Sequence, residues 1–547
     1  MGRPRALDAR DESKARGASE APDAHGAPGP NNAIVIGAGQ NGLAAAARLA
    51  RAGRKVVVLE RRDAVGGLAG AVEFHSGYKV PGILHDEGLV SPRTVAELGL
   101  ERHGLAFRDA PPIFLAEADG PGIVIGRAGR ATLETAEADA EIRARSTRDA
   151  ESYAGYRAFL AKLRPLLDDV MGTPPPPLSP ASAGDFWQIA KRGWRLWRHG
   201  RQDTLELMRV APMCVADFLN ERFETPLLVE GLAAPAVIGT WAGPWSAGTT
   251  ANLLLAEAAA GRHLAGGPAA LVAALERAAR AAGAELRTGA EVVRLRIENG
   301  RAVGVVLASG ERVDGATVIA TCDPKRSFLE LIAPGTLPIR IEEEYRRIRA
   351  RGTGAKVHLA LSGPLDVAAR PGQAFESIRI GGGHVDDLER AFDAIKYREV
   401  SPRPHLEIRV PTVADPSLAP AGHHVVSILA SYAPHDVGGG WTERRRGELL
   451  ESILSILERH APRVRERIVA QELLTPTDLE ERYALTGGQL HHGEPALDQM
   501  LVMRPTPSAA RYATSVPGLY LGGSGSHGGG GVTCTAGLLA ARAALGR

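Results

Sequence analysis

Aromatic residues make up only 5% of the 547 positions, and cysteine is scarcer still at three. Cys214, Cys322 and Cys534 lie far apart without metal-ligand spacing, so no structural zinc and no other metal site is expected. Free thiols in that number point to a reducing compartment. No run of about 18 apolar residues occurs, so no membrane-spanning helix is predicted. Neither sign of charge dominates: the formal net charge is +2, and no global field argues for nucleic acid. The first 30 residues lack the apolar core of a secretory signal. Asp8, Asp11, Glu12, Glu20 and Asp23 speak against a transit peptide. This stretch reads as a disordered polar extension, and the protein as cytoplasmic. No fixed-period repeat is visible.

What is present is a globular composition, 44% hydrophobic and 23% charged. The length exceeds one compact core, so two large domains are expected. Residues Asn32 to Glu60 form a single legible unit. Ala33-Ile34-Val35-Ile36 is a short apolar strand running into Gly37-Ala38-Gly39-Gln40-Asn41-Gly42. Leu43 to Ala52 reads as an alanine-rich helix stopped by Gly53, Val56 to Leu59 as a second buried strand, and Glu60 stands at its carboxyl end. Strand, glycine turn, helix, strand and acid at this spacing imply a dinucleotide site. The glycines let backbone approach a pyrophosphate, the helix N-terminus offers N–H groups to it, and the acid takes ribose hydroxyls. The paired Gly66-Gly67 before Leu68 suggests a second close approach of backbone to ligand.

Beyond about residue 110 the alternation of strand and helix fades. Residues 139–170 look helical, Thr173 to Pro180 is a proline-rich break, and Phe186 to Arg201 reads as an amphipathic helix. Regular signals return with a helix from Ala269 to Ala282, a strand from Val292 to Ile297, an Asn299-Gly300 hairpin turn and strands Ala302 to Leu307 and Ala316 to Ala320. Strands are expected at His405 to Val410 and His424 to Ala430, and a helix from Glu443 to Ala461. The chain closes with an apolar strand ending at Gly522-Gly523, a glycine-rich turn from Ser524 to Gly531, and a last helix from Val532 to Leu545. The layout implies an α/β nucleotide domain, discontinuous in sequence, interrupted by an α+β insert. The expected bounds are an extension 1–30, nucleotide-domain parts 31–115, 261–340 and 481–547, and insert parts 116–260 and 341–480.

Three blocks carry a family resemblance. They are Ile34 to Gly67 with its ERRxxxGG extension, Gly283 to Pro324 with GAELRTGAEVVRL and ATCDPKRSF, and Thr486 to Ala540 with TGGQLHHGEPALDQM and PGLYLGGSGSHGGGGVTCTAG. Together they resemble the phytoene desaturase and carotenoid-isomerase-like flavoproteins, within the larger group of FAD oxidoreductases that includes the amine oxidases. The nearest branch joins ketolase-type and pyridine-nucleotide-disulphide-oxidoreductase-like proteins. The resemblance implies a Rossmann-type FAD domain with an inserted substrate domain, and FAD as cofactor. It implies that Gly37, Gly39, Gln40, Asn41 and Gly42 hold the pyrophosphate. Glu60, beside Arg61 and Arg62, takes the adenosine ribose. Gly66, Gly67 and Leu68 line the path to the flavin, and Val292 meets the adenine. Gly523 and Ser524 contact phosphate and ribityl chain, and Gly531 and Val532 bring N–H groups to the flavin pyrimidine oxygen at the start of the last helix. Two departures stand out: many relatives carry arginine at the position of Leu68 and aspartate at that of Ser524.

The implied activity is dehydrogenation of a hydrophobic, isoprenoid or polyene small molecule. The alternatives are a redox-neutral isomerase using reduced FAD, a flavin-loaded regulatory protein with little turnover, and an amine oxidase. His527, in the glycine turn, is the candidate for proton transfer, against a role as a turn residue bonding backbone. His491 and His492 are expected on opposite faces, one toward a substrate channel, and His85-Asp86 beside the flavin. Cys534 stands where a helix N-terminus can lower a thiol pKa, with Cys322 as a conceivable partner. Phe186, Ile189, Ala190, Trp194 and Trp197 recur at helical spacing beside Lys191, Arg192, Arg195, Arg198 and Arg201, the pattern either of a helix that rests on an anionic lipid surface or of an ordinary surface helix packing its tryptophans into the insert's core. The sequence does not fix the oligomeric state.

Overall fold

The computed structural model describes residues 32–546, apart from 86–87, 127–132, 178–185, 188, 192, 195–199 and 259–261. Two sheets organise the chain. The first has five parallel strands in the order Leu519–Leu521, Thr317–Ala320, Asn32–Ile36, Lys55–Leu59, Glu285–Arg287. Three distant stretches of sequence therefore build one sheet. Its central strands are near-continuous apolar runs because both faces are covered. The helix Gln40–Ala50 packs against the last helix, Thr535–Ala544, and against Gly267–Ala281. Ala44, Ala45, Ala46 and Ala47 are fully buried there, and the methyl-sized side chains let the helices come close. A Cβ added to Gly537 would lie 1.9 Å from the carbonyl oxygen of Asn41, so backbone meets backbone at that crossing. A three-stranded antiparallel meander, Val292–Glu298, Arg301–Leu307 and Arg312–Asp314, follows the edge strand. Asn299 and Gly300 both take positive φ at its first turn, as a two-residue hairpin of that hand requires.

The second sheet has seven strands in the order Ile468–Leu474, Gly354–Leu361, His424–Ser431, Leu406–Arg409, Ser377–Ile380, Ile113–Ala116, Ile123–Ile125. Val357, Leu359, Ile378, Ile408, Val426 and Ile428 alternate onto one face and pack with Leu449, Ile453 and Leu457 of the helix Glu443–His460. The strand residues between them face the other way, where Thr147–Met171, Pro226–Ala233 and Thr249–Ala258 contribute helical cover. The architecture is α/β: a discontinuous Rossmann-type domain carrying an α+β insert.

Several elements differ from the sequence expectation. Ile113–Ala116, at the close of the first block, pairs in parallel with Ser377–Ile380 of the second sheet. The helical stretch near 139–170 is two helices, Leu133–Arg145 and Thr147–Met171, parted where the Ser146 hydroxyl caps the second by accepting from Asp149 N–H. Gly354–Leu361, in the interior of the second sheet, gave no clear sequence signal. The last helix starts at Thr535 rather than Val532, because Cys534 sits in the left-handed region at φ 60°.

Candidate active site

The carboxyl ends of Asn32–Ile36 and Lys55–Leu59 open on a cleft. Of the residues assigned to the cofactor from sequence, Gly37, Gly39, Gln40, Asn41, Glu60, Arg61, Arg62, Gly66, Gly67, Leu68, Val292 and Ser524 line it. Gly42, Gly523, Gly531 and Val532 do not. The glycines separate by role. A Cβ on Gly42 would stand 1.9 Å from the Gly37 carbonyl oxygen, so this residue lets helix and loop pack. A Cβ on Gly39 would meet nothing within 4 Å, so this position faces open space. Gly39 is also the N-cap of Gln40–Ala50 and makes no side-chain cap bond, which leaves the first-turn N–H groups for an anion. The Glu60 carboxylate accepts from Ala38 N–H at 2.7 Å and Arg62 N–H at 3.0 Å, fixing it against the loop. Each of its oxygens keeps a lone pair for a ribose hydroxyl. Beside it the Arg62 guanidinium lies 4.8 Å over the Tyr483 ring, and Arg61 donates to the Arg482 carbonyl at 2.7 Å. An anion-ready helix N-terminus, an open glycine and an acid one strand away fit a dinucleotide.

Gln40 and Asn41 do more than line the cleft. Gln40 Nε2 donates to the Gly531 carbonyl at 2.6 Å, and its Oε1 accepts from Cys534 N–H at 3.3 Å. Asn41 Nδ2 donates to Ser524 Oγ at 3.2 Å, and its Oδ1 accepts from Gly537 N–H at 3.3 Å. Two adjacent amides thus tie the first glycine loop to the last one, 483 to 496 residues away. Gly523 packs against the strand end, where a Cβ would be 2.5 Å from the Thr321 carbonyl oxygen. Val532 is fully buried in the Rossmann core. With the last helix starting at Thr535, Gly531 belongs to the turn, and its N–H points to His491 Nδ1 at 3.3 Å.

A second cavity adjoins the first, and Leu84 and Leu490 line both. Its walls include Leu167, Met171, Ile238, Leu255 and Leu429 from the insert side, and Met500 and the turn His527 to Gly531 from the Rossmann side. His491 lines this cavity, and His492 lines the cleft. Their divergence comes from a left-handed His492 at φ 58° rather than from extended backbone. Burial, with help from Arg504, pushes the His491 imidazole down to about 4, so it is neutral near pH 7. His527 Nε2 faces the carbonyls of Val170 and Thr173, each at 3.0 Å, so that nitrogen carries the proton and donates to backbone. His85 lines the cavity too, and its Nε2 contacts Lys356 Nζ. Asp86 lies outside the described residues.

Sequence reasoning missed Arg504. It is buried, lines the second cavity, and donates to the His491 and Ser524 carbonyls at 2.7 and 2.8 Å. Burial pushes the guanidinium down to about 10. The bonds hold a cation between a cleft residue and a cavity residue by carbonyl dipoles. Thr321, Tyr483 and Leu490 also line the cleft, brought there from far along the chain.

The thiols differ from the expectation of a lowered pKa. Burial raises Cys534 far above the usual thiol range and Cys322 to about 11, and both are free. Cys322 bonds Ser327 Oγ at 3.2 Å. In the Phe186 to Arg201 stretch, Phe186, Trp187, Ile189 and Trp194 are solvent-exposed. Arg192, Arg195, Trp197 and Arg198 lie outside the described residues. Among the described residues no cluster of metal-ligating side chains occurs, and no helix is long and apolar enough to cross a membrane.

Comparison with known proteins agrees with this geometry. The model of the flavin-containing amine oxidoreductases matches residues 216–545, and that of an NAD(P)-binding Rossmann-like domain matches 35–89. A mouse protein, pyridine nucleotide-disulfide oxidoreductase domain-containing protein 2, is 31% identical over 93% of this chain and 92% of its own. A phytoene dehydrogenase of Streptomyces griseus is 29% identical over 82% of each chain. Cyclohexylamine oxidase of Brevibacterium oxydans shares the fold, with a TM-score of 0.56 at 16% identity over 95% of this chain and 98% of its own. The chain belongs to the flavin-containing amine oxidoreductase family and is an FAD-dependent oxidoreductase.

Proposed function

We propose that this enzyme dehydrogenates a hydrophobic small molecule, with an isoprenoid or polyene body, held in the second cavity. The observation that carries the reading is the shared wall: Leu84 and Leu490 line both the cleft and a cavity to which Leu167, Met171, Ile238, Leu255, Leu429 and Met500 also contribute apolar surface. The likeness to a phytoene dehydrogenase supports the substrate class. The chemistry that bound FAD supplies is two-electron oxidation of a substrate C–H bond, with the reducing equivalents passed on to an acceptor such as dioxygen or a quinone.

The protein's own contribution is position and dryness rather than acid–base catalysis. The cavity excludes water from an apolar substrate and aligns it beside the cleft. His491 accepts from Gly531 N–H through Nδ1, and His527 donates to backbone carbonyls through Nε2. Arg504 keeps a buried positive charge between cleft and cavity. The test is anaerobic mixing of the FAD-loaded enzyme with a panel of isoprenoids and polyenes. Bleaching of flavin absorbance with a dehydrogenated product supports the proposal, and no bleaching with any member overturns it. Amine oxidation is a second reading, favoured by the carboxylates of Glu257 and Glu407 on the cavity wall. Peroxide release from amines under air would support it.

The exposed aromatics of Phe186 to Trp194 suggest, in addition, that this helix rests on a membrane surface and admits substrate from it.

A further inference from the structure

One wall of the second cavity carries a cluster of charged side chains, Glu257, Arg379 and Glu407. Cross-strand register places Arg379 opposite Glu407, and Ser377 opposite Arg409, on the face of the second sheet turned away from the helix Glu443–His460. Arg379 is 3% exposed. Its Nη1 donates to the Gly231 carbonyl at 2.9 Å. Its Nη2 stands 3.7 Å from Glu257 and 3.8 Å from Glu407, longer than a hydrogen bond. Its Nε has no hydrogen-bond partner among the described residues. The Nε–Nη2 edge is the face of a guanidinium that grips an oxygen with two parallel bonds, and here it has two carboxylates nearby but makes no hydrogen bond among the described residues. Asn252, on the same cavity, repeats the pattern. Its Nδ2 donates to the Ala236 and Pro495 carbonyls, each at 3.1 Å, while its buried Oδ1 has no partner among the described residues.

Buried charges arranged this loosely are a poor stabilising device, since desolvation outweighs attraction unless geometry is tight. They fit a recognition site. With Arg409 3.5 Å from Glu407, the cluster holds two guanidiniums against two carboxylates, so a carboxylate ligand would add an unbalanced negative charge beside Glu257 and Glu407. A hydrocarbon would leave the donors unmatched. A hydroxyl meets both demands: it accepts from Arg379 and donates to Glu257 or Glu407.

We propose that Arg379, Glu257 and Glu407 bind the hydroxyl group of an apolar alcohol whose hydrocarbon body fills the remainder of the cavity. This rests on the dehydrogenase reading and narrows its substrate from a pure hydrocarbon to an oxygenated one. The FAD-loaded enzyme is titrated with 1-decanol, n-decane, decanoate and decylamine. Binding is read from the flavin difference spectrum and, independently of the flavin, from the thermal shift of the apoprotein. Decanol is expected to bind at least about tenfold tighter than decane or decanoate. Arg379→Met removes that advantage and leaves decane unchanged. Glu257→Gln, at a partly exposed side chain, reduces it several-fold and carries the test if the arginine variant does not fold. Equal binding of decanol and decane, or tightest binding of decanoate or decylamine, overturns the proposal. Failure to take up FAD would instead overturn the dehydrogenase reading, while the thermal-shift preference would still decide this one.

Discussion

Substituting two glycines three residues apart separates holding a cofactor from holding a fold. Gly39→Ala adds a methyl at φ −68° and ψ 176°, a conformation alanine adopts freely, with nothing within 4 Å to strike. Alanine is the poorer N-cap by roughly 0.5–1 kcal/mol, and its stiffer unfolded chain returns about 0.4–1 kcal/mol. The apoprotein should therefore melt as the wild type does, within about 0.5 kcal/mol. The methyl projects into the space the pyrophosphate needs. Overpacking of that size costs about 1–3 kcal/mol, or about 5- to 150-fold in FAD affinity. Gly42→Ala is the converse. Its Cβ would fall 1.9 Å from the Gly37 carbonyl oxygen, and backbone rather than a flexible side chain must move. The apoprotein should lose about 3 kcal/mol or more, and FAD with it. Calorimetry of the stripped proteins and fluorescence titration with FAD measure the two effects. A Gly39→Ala protein that binds FAD at full strength, or unfolds as readily as Gly42→Ala, would refute the reasoning.

Gln40→Leu removes the bonds to Gly531 and Cys534 and leaves a buried carbonyl unpaired, so denaturant unfolding should show a loss of about 1–3 kcal/mol and weaker FAD retention. Burial lowers His405 from 6.5 to about 4, so its contribution is complete above pH 6.5 and is lost as pH falls toward 4, on the order of 3 kcal/mol in all. His405→Leu should flatten part of the acid limb of Tm against pH while costing little at pH 8, since neither ring nitrogen has a hydrogen-bond partner among the described residues. Glu230 has the opposite sign. Burial raises it from 4.5 to about 7, so the folded state holds the proton longer and stability declines as pH rises between those values. Glu230→Gln should abolish that decline in the same Tm series. Trp187→Glu, at an exposed site on the surface helix, should reduce co-sedimentation with anionic vesicles several-fold and leave FAD content unchanged.

The nucleotide unit was legible because its signals are local. Strand, turn, helix and acid fall within Asn32 to Glu60, and each glycine has a backbone reason to be there. The insert was less legible because its sheet is assembled across the chain. Ile113–Ala116 pairs with Ser377–Ile380, and Gly354–Leu361 lies between strands beginning at His424 and Ile468. Gly354–Leu361 was not among the expected strands, and its alternate Lys356 and His358 face the protein interior rather than solvent. The start of the last helix was misplaced because the left-handed Cys534 is a conformation that residue type does not announce. Arg504 escaped notice because its partners are backbone carbonyls, which no side-chain pattern reveals.

The central claim is that three separated stretches of chain form one FAD cleft beside an apolar chamber. Titration of the flavin-free protein with FAD, competed by ADP, tests it most directly. The account requires saturation at one FAD per chain, with ADP displacing it and Glu60→Ala weakening it. A folded protein that stays colourless, or binds FAD without competition from ADP, would contradict it.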